Sequence, residues 1–144
     1  MIARAEIVAA ARGWIGTPYR HQASLKGVGC DCLGLVRGVW RELYGEEPGR
    51  LAPYASDWAV SAQGEPLLDA ARRLCVAREP QAIAPGDVLL FRWRARLPAS
   101  HLGVAVTATT MIHAHDGACV AEAPIHESWR RRLAGVFALP GVVD

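Results

Sequence analysis

The stretch "GVGCDCLGLVRGVW" (residues 27–40) decides how this chain is read. Glycines and two cysteines crowd around Asp31, and the sequence then turns apolar. Val36, Val39 and Leu43 follow at helical spacing with Leu35 and Trp40 alongside, and Gly45 stands where a helix stop belongs. A helix therefore starts at Cys32. A cysteine there meets the positive end of the helix dipole and N–H groups that the first turn leaves unpaired. Both favour the thiolate, the nucleophilic form. Gly34 is expected to keep the first turn open to a substrate. The competing readings of Cys32 are a buried structural cysteine, a disulfide partner and a metal ligand.

Working outward, residues 2–14 suit a first helix with Ile2, Ile7, Val8, Ala11 and Trp14 on its apolar face, and "GTPY" (16–19) breaks it. "EEPGRLAPYASDW" (46–58) reads as loop and "EPLLDAARRL" (65–74) as a short helix. The period then changes. "APGDVLLFRW" (84–93) is a turn feeding a strand, and "HLGVAVT", "MIHAH", "CVAEAP" and "GVFAL" are short β-type runs. Helices first and strands afterwards predict an α+β domain, with N-terminal helices packed on a small antiparallel sheet. At 144 residues the expectation is one domain over 1–144.

Composition narrows the function. Hydrophobic residues make up 51% and charged residues 21%, which suits a packed globule. A net charge of +2 gives no argument for direct nucleic-acid binding, and no apolar run is long enough for membrane insertion. Arg4, Glu6 and Arg12 make the N-terminal stretch an amphipathic helix rather than a signal peptide. The expectation is synthesis in the cytoplasm without a cleaved signal. Of the 16 basic residues Lys26 is the only lysine. Arg92, Arg94 and Arg96 alternate and Arg130 to Arg132 are consecutive. These read as a solvated strand face and an exposed turn, with a protein contact as the better functional alternative. The four cysteines follow no secreted framework, and Cys30 and Cys32 stand too close for an unstrained bridge, so free thiols are expected.

A catalytic thiol needs a base, which a third polar group usually holds. His101 opens "HLGVAV", where alternation puts His101, Gly103 and Ala105 on one face. That small-residue face is expected to let a helix pack closely and bring His101 to Cys32. His113 and His115 share a face of "MIHAH", and either can orient His101. Zinc is the rival reading, since two cysteines and three histidines are ligands enough. Cys-x-Cys lacks the gap of a zinc knuckle, however, and no second cysteine pair answers it. No metal and no cofactor are expected.

"GTPYRHQ", "GCDCLGLV", "APGDVLLF", "HLGVAV" and "MIHA" come in the order and approximate spacing of the NlpC family of cell-wall cysteine peptidases, which the chain resembles from about Thr17 onward. The variant "GCDCLGLVRGVWRELYGEEP", with "DWA" (57–59) after it, resembles the short members carried by phage tail modules and gene transfer agents. The resemblance implies a papain-like α+β fold and a thiol endopeptidase cutting peptidoglycan stem peptides between γ-D-glutamyl and diaminopimelate or lysine. It implies Cys32 as nucleophile, His101 as base and His113 as the residue holding the base. It implies Tyr19 as a residue lining the site and a possible oxyanion donor, and Asp31 as the acidic residue that in some members holds the substrate's amine. Leu33 replaces the Ser that many members carry, and Cys30 reads as structural. The implied partners are the stem peptide and a tail-tip or hub protein, with the chain acting from a virion or gene transfer agent tail in the target cell's periplasm. A structural tail plug and a thiol acyltransferase or amidase of the same architecture are the alternatives.

Overall fold

The computed structural model describes residues 1–48, 64–115 and 117–143. Most of the loop expected at 46–58, and the "DWA" at 57–59, lie outside the described residues.

The short strand β1 (Ile2–Ala3) precedes helix α1 (Arg4–Arg12), which begins where Glu6 reaches back to accept the Ala3 N–H at 2.9 Å. Residues 2 and 3, expected as helix, pair instead with the C-terminal strand β10 (Val142–Val143) in parallel. A small hairpin, β2 (Ser24–Leu25) and β3 (Gly29–Cys30), occupies the glycine-rich loop before helix α2 (Cys32–Tyr44). Asp31 caps α2 at its start. Gly45, at φ 87°, closes it with an N–H to the Arg41 carbonyl. Helix α3 (Pro66–Leu74) starts with proline at its first position, where a missing N–H costs nothing.

Beyond α3 come β4 (Val76–Arg78), β5 (Val88–Phe91), β6 (His101–Ala105), β7 (Thr110–His113), β8 (Ala121–Pro124), the one-turn helix α4 (Glu127–Arg130) and β9 (Leu133–Ala138). Six strands form one antiparallel sheet in the order β4-β9-β5-β6-β7-β8. The α+β architecture expected from the sequence is the architecture observed.

Both faces of the sheet are covered, which is why β5 reads "VLLF" without alternation. On one face Val88, Leu90, Leu102, Val104 and Phe137 meet Ile7, Trp14, Leu35, Val39 and Leu67 from the helices. On the other, Leu89, Phe91, Ala105, Met111 and Val136 form a smaller core with Ile83 and Ile125, against which Trp129 packs. Helix α2 therefore lies on the Leu102/Val104 face of β6 and not on the Gly103/Ala105 face expected to receive it. Large apolar side chains, rather than an absence of side chains, make the better contact because they bury more area. Gly103 serves its own sheet neighbour, since a Cβ there would stand 2.8 Å from the Met111 sulfur.

The fully buried carboxylate of Asp87 fastens α1 and β4 to the sheet. It accepts from Arg4 at 2.8 Å, from Arg78 at 2.9 Å and from the Ala84 N–H at 2.9 Å. The "PGD" turn is thus a structural joint in which one buried charge meets two guanidinium groups.

Candidate active site

Cys32 is the first residue of α2 and is 8% exposed. Its position follows from the turn before it. One oxygen of Asp31 accepts the Gly34 N–H at 2.7 Å and the other accepts the Gln22 N–H at 2.7 Å. That carboxylate, 2% exposed, ties the loop at 22 to the helix start. Asp31 thereby fixes the turn that presents Cys32.

Gly34 has a different task from the one expected. A Cβ there would fall 1.8 Å from the Ala23 carbonyl oxygen, and the Ser24 hydroxyl donates to the Gly34 carbonyl at 2.6 Å. The missing side chain admits the protein's own backbone rather than a substrate. Leu33 is buried and lines an apolar hollow with Leu67, Val88 and Leu102.

The Cys32 thiol donates to the Ser100 carbonyl at 3.6 Å, one residue before His101. His101 Nε2 and His113 Nδ1 stand 2.9 Å apart, on the adjacent strands β6 and β7. The structure thus sets Cys32 against the residue before β6, whose first residue, His101, pairs with His113. His115 lies past the end of β7 and is exposed, its ring 5.8 Å from those of His101 and His113. Tyr19 sits on a segment whose backbone pairs with Ala118 on one side and with Cys30, two residues before Cys32, on the other. Cys30 is fully buried in the main core. All four cysteines are free thiols. Among the described residues, no three His, Cys, Asp or Glu side chains form a metal-binding group.

Burial governs the protonation of the resting site. It pushes the Cys32 thiol up to about 12, with the Asp31 charge adding to the rise, against the lowering pull of backbone N–H groups led by that of Leu102. His101 is driven down to about 3 by burial and by its neighbours His113 and His115. His113 falls to about 4 by burial and His115. Thiol and both imidazoles are therefore neutral before a substrate enters.

Sequence reasoning missed the aromatic wall of this site. The Trp129 ring, on α4, stacks on His101 at 5.0 Å with an interplanar angle of 20° and stands edge-on to His113 at 5.6 Å. Trp93 approaches His101 at 5.7 Å and Trp129 at 5.5 Å. The available signal was the placement of both tryptophans directly beside arginine runs, in segments otherwise read as exposed. The Ser100 hydroxyl, one residue before His101, is buried with no hydrogen-bond partner among the described residues.

The expected arginine surfaces also change. Arg92 pairs with Glu65 at 2.6 Å rather than lying on a solvated strand face. Arg130 donates to the Ala108 carbonyl, and Arg132 to those of Trp93 and Ser128.

Comparison with known proteins gives this geometry its lineage. γ-DL-Glutamyl hydrolase of Bacillus subtilis (strain 168) is 30% identical over 131 residues, which make up 90% of this chain and 28% of that protein. The chain thus spans little more than a quarter of that relative's length. In fold it is similar to the NlpC/P60 domain of the peptidoglycan hydrolase SagA (TM-score 0.64, 20% identity, 96% of this chain and 100% of that one). It is also similar to an NlpC/P60 family protein from Bacillus cereus ATCC 10987 (TM-score 0.67, 17% identity, 94% of this chain and 39% of that one). The NlpC/P60 family model matches residues 16–138, a span that holds the helix-capping cysteine and both buried histidines. The chain belongs to the NlpC/P60 family.

Proposed function

We propose that the chain is a thiol endopeptidase of peptidoglycan, cutting stem peptides at the bond between γ-D-glutamyl and diaminopimelate or lysine. One observation carries this reading: a thiol at a helix N-terminus lies against the residue preceding a histidine whose Nε2 meets a second buried histidine at 2.9 Å. The relative named a γ-DL-glutamyl hydrolase supports the γ-glutamyl linkage.

In this mechanism His101 carries its proton on Nε2, donates it to His113 Nδ1 and leaves its own Nδ1 as base. Because thiol and imidazole rest neutral, the proton leaves Cys32 as the sulfur attacks rather than beforehand. The carbon–sulfur bond forms and the carbonyl electron pair moves onto oxygen. The Cys32 backbone N–H stabilises that oxyanion, with the Tyr19 hydroxyl as second donor. Collapse breaks the carbon–nitrogen bond, and His101 returns its proton to the departing amine. Water, deprotonated by His101, then attacks the thioester, and the thiol leaves with that proton.

The test is incubation of purified protein with defined stem peptides and identification of the fragments by mass. Cleavage that frees the amine of diaminopimelate or lysine is expected, with none by the Cys32→Ala variant. Fragments from another bond, or an active Cys32→Ala protein, overturn the reading.

We also propose delivery from a phage-like tail to the periplasm of a target cell. The support is the likeness of "GCDCLGLVRGVWRELYGEEP" to short tail-module members. In the arginine turn the side chains of Arg130 and Arg132 are held by backbone carbonyls, so the turn adds little to this reading. Purified particles are expected to carry the chain at the end distal to the head. Particles with Cys32→Ala should assemble normally and deliver DNA poorly. Absence of the chain from any particle refutes delivery, and full delivery by the variant favours a structural tail part.

A further inference from the structure

Two arginine runs that are remote in sequence meet on one surface. Arg92, Trp93, Arg94 and Ala95, after β5, and Arg131, Arg132 and Leu133, leading into β9, line a single open cleft of about 460 Å³. The Arg92 N–H donates to the Arg132 carbonyl at 2.8 Å, which locks the two walls together. Among the described residues, Arg92 is the one arginine of the cleft that pairs with a carboxylate, that of Glu65. Arg132 spends its donors on carbonyl oxygens, which orient the guanidinium without neutralising it. Arg94 and Arg131 are exposed and have no carboxylate partner among the described residues. The charges of Arg94, Arg131 and Arg132 therefore share one concave surface with no carboxylate partner among the described residues.

This cleft borders the candidate active site through one shared residue. Trp93 lines it and also stands 5.7 Å from the His101 ring. An extended peptide advances about 3.3–3.6 Å per residue. An extended peptide bound at Cys32 and running past Trp93 would carry its flanking groups toward the arginines.

We propose that the cleft is a subsite for free carboxylates of the peptide being cut, so that the enzyme selects polyanionic, γ-linked acidic peptides. This rests on the thiol-hydrolase reading above for the identity of the occupant. A γ-glutamyl linkage uses the side-chain carboxyl and leaves the α-carboxylate free at every such residue. Guanidinium forks match carboxylates in a bidentate way that lysine does not, and nearly all of this chain's basic residues are arginine. The Trp93 face gives the peptide's methylene groups an apolar bed beside those charges.

The experiment uses Cys32→Ala protein, which binds without turning over, and calorimetric titration with a short γ-linked glutamyl peptide. The same peptide with its α-carboxylates converted to carboxamides is titrated in parallel. The acid form should bind at least ten-fold tighter than the amide, and raised salt should weaken it. Arg94→Gln together with Arg131→Gln should remove that ten-fold advantage and leave amide binding unchanged. Both positions are exposed, and an unchanged melting temperature verifies the fold. Equal binding of acid and amide, or full retention in the double variant, overturns the proposal. So does a glycerol-phosphate polymer that binds through these arginines while the acidic peptide does not. Hydrolysis by the unmodified protein is scored separately. Equal kcat/KM on acid and amide peptides refutes the cleft alone, whereas arginine-dependent binding without any cleavage refutes the hydrolase reading alone.

Discussion

His101 Nε2 and His113 Nδ1 lie 2.9 Å apart with both residues buried, and Trp129 stacks on the first ring and stands edge-on to the second. A neutral histidine has one donor and one acceptor nitrogen, so this contact couples the two tautomers: one ring donates and the other accepts. His113→Ala should lower kcat about 100-fold or more with little change in KM, because orientation of the base is lost. His113→Asn should recover part of it. His115→Ala, at an exposed ring outside the hydrogen bond, should cost under ten-fold. Steady-state kinetics on one stem peptide distinguishes the three, and equal losses at 113 and 115 would contradict the assignment.

The two neighbouring cysteines should separate cleanly. Cys32→Ala is expected to abolish hydrolysis while leaving the melting temperature within a few degrees of the parent. Cys30→Ser places a hydroxyl in the main core and should lower stability by about 1–3 kcal/mol. Activity per folded molecule should persist. An active Cys32 variant beside a dead, folded Cys30 variant would reverse the roles.

Stability should fall in acid earlier than surface carboxylates alone would make it. His101 and His113 titrate at about 3 and about 4 when folded, against 6.5 ordinarily. As pH drops below about 6.5 the unfolded chain therefore takes up protons that the folded chain refuses. Their contribution is intact above about 6.5 and is lost progressively down to about 3. Each histidine adds a slope of roughly 1 kcal/mol per pH unit in that window. Denaturant midpoints between pH 4 and 7 should show this slope, and His113→Asn should flatten it.

Trp129→Ala should admit water to the histidine pair. Kcat/KM is expected to fall by up to about ten-fold, the factor that about 1.4 kcal/mol of lost ring positioning gives. Wetting also relieves the burial that depresses His101, so the acid limb of kcat/KM should move to higher pH. Trp129→Phe should restore both. An unmoved acid limb in the alanine variant would show that Trp129 does not shield the base.

Gly34→Ala drives a methyl group into the Ala23 carbonyl, backbone against backbone, where neither side can yield cheaply. A loss of at least about 3 kcal/mol is expected, read from chemical denaturation. A stable variant with impaired substrate binding would instead favour the substrate-access reading of this glycine.

The sequence by itself determined what depends on near neighbours. The α2 start needs only Asp31 as cap and Gly45 as stop, and the apolar period between them announces the helix. The change to short β-type runs after residue 84 announced the antiparallel sheet, because strand alternation and turn residues are local signals. Cys32, His101 and His113 stand out as candidates through such contexts together with a family resemblance. What only the tertiary structure decided are contacts between remote segments. The pairing of Ile2–Ala3 with Val142–Val143 overrides helical preference at residues whose own sequence favours helix. The face of β6 that receives α2 follows from the area buried by Leu102 and Val104, which periodicity alone leaves undecided between two faces. Gly34 meets Ala23, Trp129 covers His101, and Arg94 shares a cleft with Arg131, none of them partners at helix or strand spacing. Hydrophobic pattern specifies which residues leave water; which remote group each then meets is set by close packing of the whole chain.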